Sequence, residues 1–328
     1  MPKISVVVPA YNSQSTILET IYSVLQQSFS DFELIVINDG STDKTLRLLS
    51  TVNDARLKVY SYPNGGLPAA RNRGIVRATG QFISFIDADD LWTPDKLELQ
   101  LQALQKNPQA GVAYSWTICM GNDGSSFHPG ISESFQGNVY SNLLVGNFIG
   151  SGSNVLISRE AIESVGYFDE SLKSCEDWDY WMRLAPQWDF VVVPKPQIIY
   201  RLSSGAMSSK LDVMEKYQTL VLEKAFASAP PQLQYLKKQG FAYIYLFMTR
   251  LCLSRANDVK VVKEAGQKLW KAIRFSPKIL LTKEAQLLLI KVCVLRIISP
   301  KIASNILSRA IKVRNVADPR LQASSVRS

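Results

Sequence analysis

Residues 81–90, QFISFIDADD, set a buried-strand pattern directly against a cluster of acids. Phe82, Ile83, Phe85 and Ile86 are apolar, and Asp87, Asp89 and Asp90 follow with only Ala88 between them. Carboxylates this close repel by roughly 1 kcal/mol per pair at 4 Å in water and by about 4 kcal/mol near a protein surface. Such a run can cap the helix that follows, because Asp favours helix N-termini, or it can await a cation. The flanking sequence decides between the two.

Strand and helix patterns alternate around it. ISVVVP (4–9) and ELIVIND (33–39) are continuous apolar runs of the kind buried on both faces of a parallel sheet, and RLKVYSY (56–62) is a third strand. Residues 14–27 have helical periodicity, with Thr16 and Glu19 fitting a capping box. TDKTLRLLS and LPAARNRGIVRATG (67–80) read as two further helices. TPDKLELQLQAL reads as another, with Thr93 as N-cap and Pro94 at its first position. This alternation predicts an α/β fold with a mostly parallel central sheet. Ligands of such sheets bind outside the carboxyl ends of the strands. Polar residues gather at three of those ends: Pro9–Asn12, Asn38–Ser41 and Asp87–Asp90. Three such tips on one edge favour the cation over the cap. D-x-D spacing lets two carboxylates face one ligand, and an all-oxygen donor set suits Mg²⁺ or Mn²⁺.

Beyond residue 110 the pattern changes. GVAYSWTICM (111–120) is strand-like, Asn122-Asp123-Gly124 is a hairpin signal, EDWDYWMRLA (176–185) reads as a helix, and DFVVVP and QIIYRL read as two short strands. Five helices follow, over about 211–228, 231–255, 259–275, 282–298 and 300–314, and a Ser-rich end is predicted to be disordered. Charge divides at the same place: +15 from Lys210 onward, with 22 Lys and Arg against 7 Asp and Glu, and −6 over residues 1–209. The expected organisation is a catalytic domain over 1–209, a basic helical region over 210–315 and a tail over 316–328.

The single histidine, His128, excludes a multi-histidine zinc site and disfavours Ser-His-Asp chemistry. Cys119, Cys175, Cys252 and Cys293 have no metal or redox spacing and read as reduced core residues. No secretory signal opens the chain and no run of 18 apolar residues occurs, so the expected location is cytoplasmic.

SVVVPAYN, INDGSTDKT, LPAARNRGIVRATGQFISFIDADD and CEDWDYWMRLA, in this order, resemble the family-2 glycosyltransferases of the GT-A fold, over about residues 3–204. The resemblance implies a Rossmann-like mixed sheet and inverting transfer from a nucleotide-sugar donor, a UDP-sugar by default, to a glycan or lipid-linked acceptor. It implies that Pro9, Ala10, Tyr11 and Asn12 surround the base, Asp39 accepts a hydrogen bond from it, and Arg71 and Asn72 lie on the donor side, Arg71 toward a phosphate. Asp87, beside Ala88, would contact the donor's ribose or the metal's hydration shell, Asp89 would coordinate the metal on the diphosphate, and Asp90 would be a supporting acid or cap. Asp177 would be the base, with Glu176 as the alternate or the orienting acid. At a helix N-terminus, Asp177 is expected to have a lowered pKa.

Arg73 and Arg77 read as solvated. Gly150–Ser153 reads equally as an acceptor-side loop or a plain one, and Trp178 and Trp181 read as core rather than sugar platforms. Many relatives carry a histidine shortly after the last strand; Ser203 stands near that place here. The rival reading is a catalytically silent nucleotide-sugar-binding or scaffold protein. The basic tail reads as an attachment to an anionic membrane surface at its cytoplasmic face; nucleic acid is not expected as a partner, since no recognition motif accompanies the charge.

Overall fold

The computed structural model describes residues 1–121, 123–202, 211–255 and 258–297. Asn122, Ser203, the helix expected over 300–314 and the 316–328 tail lie outside the described residues. The chain divides into two compact units, Met1–Lys237 and Lys238–Ser328.

The first unit is built on one nine-stranded sheet. Its strands β1 (Ile4–Ala10), β2 (Phe32–Asp39), β3 (Leu57–Tyr62) and β4 (Phe82–Phe85) pair in parallel in the order β3-β2-β1-β4. Beyond β4 the order continues β8 (Leu156–Ser158), β6 (Ala110–Met120), β9 (Asp189–Arg201) and β5 (Leu91–Trp92), and β7 (Phe127–Pro129) forms a hairpin with β6. The long ladders are parallel and the antiparallel ones, β4–β8, β6–β8 and β5–β9, are short. β1 and β2 are buried at every residue, as their unbroken apolar runs require. DFVVVP and QIIYRL prove to be one strand. Its pairing shifts so that Ser115 meets Val193 and Trp116 meets Pro196; Pro194 and Pro196 lack the N–H that a regular ladder needs, and a bulge absorbs them.

Helices α1 (Ile17–Leu25), α2 (Thr45–Leu49), α3 (Leu67–Arg77) and α4 (Lys96–Lys106) follow the expected alternation, and α5 (Tyr140–Val145), α6 (Arg159–Val165) and α7 (Glu176–Leu184) complete the second half. Two expected caps are not made. Thr16 makes no side-chain cap; its hydroxyl donates to the Ala88 carbonyl at 2.8 Å, and Glu19 pairs with Arg201. Thr93 hydrogen-bonds Asp95 at 2.7 Å in a turn ahead of α4, which starts at Lys96. In both places a long-range partner or a local turn outcompetes the cap.

Helix α8 (Leu211–Ser228), expected to open the separate basic region, packs on α5 and α7 instead. Lys224 ties it there, its Nζ lying 2.7 Å from Asp169 and 2.9 Å from Asp179. The first unit therefore runs to Lys237 rather than stopping near 209.

Among the described residues the second unit holds α9 (Lys237–Ser254), α10 (Val259–Phe275) and α11 (Lys283–Ile297). Phe275 stacks on Phe241 and Tyr245 at 5.0 and 5.7 Å, and Val262, Leu269, Leu288 and Val292 are buried with them. Leu287, Ile290, Val294 and Ile297 recur at helical spacing on α11 and stay exposed. No helix among the described residues is long and apolar enough to cross a membrane.

Candidate active site

The carboxyl ends of β1, β2 and β4 bring the three polar tips together through hydrogen bonds. Asn12, held at φ 48°, accepts from the Thr42 N–H at 2.8 Å, and its own N–H donates to Ser41 Oγ at 3.0 Å. Tyr11 beside it is 54% exposed, which leaves a ring face free, whereas Pro9 and Ala10 are buried within β1. Asp39 is buried and accepts from the Gly65 and Gly66 N–H groups at 2.9 and 2.8 Å. Arg73, expected to be solvated, reaches the same carboxylate at 2.6 Å. Arg77 lies over the Tyr60 ring, 4.6 Å from its centre.

The three acids after β4 have three different environments. Asp90 is fully buried. Its carboxylate accepts from Ser153 Oγ at 2.5 Å, Ser151 Oγ at 3.4 Å and the Arg201 N–H at 3.2 Å. Burial and the charges of Asp89 and Asp87 nevertheless push its carboxyl well above the usual range. Asp87 is partly exposed and pairs with Arg71 Nη2 at 2.7 Å, while its N–H donates to Ser153 Oγ at 3.0 Å. Asp89 has no side-chain hydrogen-bond partner among the described residues; burial and the charge of Asp87 raise its carboxyl to about 6, against a hydrogen bond from its own backbone N–H and the charge of Arg201. Thr20 fixes the backbone beneath, donating to the Ala88 and Asp90 carbonyls at 3.0 and 2.9 Å.

The Gly150–Ser153 loop thus serves the acids rather than lying plain: its two hydroxyls hold Asp90, and its glycine at 152 makes room for Arg71. A Cβ at Gly152 would lie 2.3 Å from Arg71 Nη2. The sequence reading missed this use of Ser151, Ser153, Thr16, Thr20 and Arg201. The serines' nearness to a strand start was the one signal available.

α7 presents Glu176 and Asp177 at its first turn, preceded by Cys175 in the left-handed region at φ 62°. Such backbone costs an ordinary residue of order 1 kcal/mol or more and is kept where the surroundings dictate it. Glu176 is buried and accepts from Arg71 Nη1 at 2.6 Å. Burial pushes it up to about 7 against the charge of Arg71. The expected lowering of Asp177 does not occur. Burial raises it, outweighing Arg71 and the hydrogen bonds from the Trp178 N–H and the Asn147 side chain; desolvation here exceeds the effect of the helix end.

Asn72 donates to the Phe168 carbonyl at 3.0 Å and to Glu170 at 2.9 Å, and accepts from the Phe168 N–H at 2.8 Å. Trp178 and Trp181 are buried in the core. His128 lies exposed in the β6–β7 hairpin, and of the cysteines expected in the core only Cys252 is buried, while Cys293 is exposed.

At the strand ends the acidic cluster thus faces a second carboxylate pair across one arginine. The family model for glycosyltransferase like family 2 matches residues 5–249. The chain belongs to that family. It is 32% identical over 215 residues to TuaG of Bacillus subtilis, named for teichuronic acid biosynthesis, covering 63% of this chain and 82% of TuaG. The matched segment spans 33% of the length of an uncharacterized glycosyltransferase of Rickettsia conorii. Among solved structures, S. aureus TarS 1-349 in complex with UDP-GlcNAc superposes with a TM-score of 0.60 at 22% identity, covering 84% of this chain and 82% of that one. The mannosyltransferase PcManGT of Pyrobaculum calidifontis, in complex with GDP-Man and Mn²⁺, gives 0.58 at 19% identity over 91% and 88%. The fold of this family member is therefore GT-A, a mixed and mostly parallel sheet flanked by helices, with a helical C-terminal region.

The donor set also bears on a metal. Among the described residues no group of three or more His, Cys, Asp or Glu side chains is arranged to hold an ion. Asp89, unpaired and with its charge disfavoured, is the group a cation would relieve. A hard divalent ion that takes most of its shell from phosphate oxygens and water fits such a sparse site.

Proposed function

We propose that the chain is an inverting sugar transferase that moves a sugar from a nucleotide diphosphate donor, a UDP-sugar by default, to a hydroxyl of a glycan or lipid-linked acceptor. The observation that carries this is the buried Arg71, which joins Asp87, 16 residues away in sequence, to Glu176, 105 residues away, and so sets the strand-tip acids and the α7 pair on one cleft. Tyr11 stacks on the base, with Asn12 and Asp39 shaping its pocket and Pro9 and Ala10 supplying the backbone beneath. Asp87, next to Ala88, meets the sugar-nucleotide, and Asp89 holds Mg²⁺ or Mn²⁺. When bound, the metal neutralises charge developing on the departing diphosphate.

Asp177 takes the proton from the acceptor hydroxyl as that oxygen attacks the anomeric carbon from the face opposite the leaving group, the arrangement inversion requires. It is suited to this because it keeps part of its surface open and its raised pKa makes it a stronger base than an ordinary aspartate. Glu176, fully buried, orients it. TarS with UDP-GlcNAc and PcManGT with GDP-Man and Mn²⁺ support a nucleotide-sugar donor and a divalent metal. The name of TuaG supports surface-polysaccharide assembly.

The basic helical region attaches to the cytoplasmic face of an anionic membrane, supported by its charge and by the apolar face of α11. A nucleotide-sugar screen by thermal shift, with and without Mn²⁺, followed by a transfer or donor-hydrolysis assay, tests the reaction. Selective stabilisation and turnover are expected, and a wild-type chain that does neither ends the proposal. Flotation with anionic vesicles tests attachment: the chain is expected to float with them and not with neutral ones.

A further inference from the structure

Arg71 is almost completely buried, 1% exposed, and it does not present a free cationic surface to the cleft. Its two terminal nitrogens are each taken by a carboxylate, Asp87 at 2.7 Å and Glu176 at 2.6 Å. The guanidinium lies over the Phe168 ring, 5.4 Å from its centre, and that ring stacks on Tyr180 of α7 at 4.1 Å. Asn72, the next residue, holds Phe168 by its backbone N–H and C=O. Consecutive residues of α3 thus grip one element: Asn72 fixes the ring, and Arg71 spans from the ring to the acids. α3 can come this close because Gly74 faces Val7, where a Cβ would lie 2.2 Å from Val7 Cγ1.

We infer that Arg71 is a positioning residue for the base, fixing the Glu176–Asp177 pair against the donor-side carboxylate Asp87 rather than gripping the donor's phosphates. The inference rests on the proposed role of that pair. The groups facing Glu176 and Asp177 are Arg71 on α3, Asp87 after β4 and each other, with the Cys175 thiol, itself pushed up to about 12 by burial, adjoining. Among the described residues Arg71 is the one cation facing the pair, so without it the buried Glu176 and half-buried Asp177 face Asp87 unopposed and the pair takes up protons. A planar fork serves two carboxylates at once; a lysine, with one nitrogen, does not replace it.

The test uses the full chain with Arg71→Lys and Gly152→Ala, the latter displacing the guanidinium while keeping it. Donor KM, kcat for transfer or donor hydrolysis, the pH dependence of kcat and thermal unfolding are measured for each. For Arg71→Lys, kcat is expected to fall by about 100-fold with donor KM within about threefold of wild type. The acid limb of kcat should move up by about one pH unit. Gly152→Ala should move both readouts the same way by less, and it carries the test if Arg71→Lys fails to fold. A loss confined to donor KM, or a kcat and acid limb equal to wild type, overturns the inference while leaving the proposed reaction intact. An inactive wild type overturns both.

Discussion

Two acidic regions meet in this cleft, and they differ in how their repulsion is relieved. The pair at the start of α7 brings its own cation, because Arg71 reaches Glu176 directly and lies beside Asp177. The acids after β4 have only partial relief. Asp87 shares Arg71, Asp90 is held by serine hydroxyls, and Asp89 is left raised to about 6 without a side-chain partner. Neither is fully relieved, since Glu176 is still raised to about 7, but Glu176 has an ion-pair partner and Asp89 has none among the described residues. On the proposed function, the first set is the base with its partner, and the second is the donor site that a metal would complete.

The comparison can be broken most severely at Asp177. Asp177→Asn should lower kcat by about 10²- to 10⁴-fold while leaving donor binding largely unchanged, as calorimetry with a donor analogue and single-turnover kinetics would show. Equal loss of donor affinity would place Asp177 in the donor site instead.

Asp89→Asn should act on the other side. Donor affinity in the presence of Mn²⁺ should fall at least about 10-fold, roughly 1.4 kcal/mol, and the Mn²⁺-dependent part of the thermal shift should vanish. Donor binding that stays Mn²⁺-dependent in this variant would remove Asp89 from the metal.

Ser153→Ala sharpens the role of the hydroxyls. It leaves buried Asp90 short of a donor and should cost about 1–3 kcal/mol, seen as a lower unfolding midpoint. Asp90→Asn should be better tolerated than Asp90→Ala, because the raised carboxyl already favours an uncharged, hydrogen-bonded group.

Glu33 is the counter-example. Although burial raises it, hydrogen bonds from Lys58, Thr79 and Ser5 bring it down to about 2. A carboxylate depressed in the folded state contributes stability above its unfolded pKa, near 4.5, and loses it as pH falls toward 2. Glu33→Gln should therefore flatten the pH dependence of the unfolding midpoint between about pH 4.5 and 2.

How much of the site could be read in advance follows from distance along the chain. The strand-tip acids and the Glu-Asp pair stood out because each lies in a short contiguous run. Their partners did not: Ser153 is 63 residues from Asp90, and Arg201 is 182 from Glu19. The Thr16–Glu19 capping box failed for the same reason, since both side chains found partners that no local pattern could reveal. Asp177 was expected to be lowered because a helix N-terminus is local and legible, whereas desolvation depends on everything packed around it.

The sequence by itself determined the alternation of β1–β4 with α1–α4, the sheet's parallel half and the tips at which chemistry gathers. Periodicity and turn residues are local properties, and four motifs in register leave little freedom. Tertiary structure alone decided where the first unit ends, because Lys224 fastens α8 to the acids of α7 and its preceding loop. It also decided which acid is paired and which is left bare. Pairing of buried charges is set by three-dimensional approach and burial, and in QFISFIDADD those assign Asp87 to an arginine, Asp90 to two serines, and Asp89 to no side chain among the described residues.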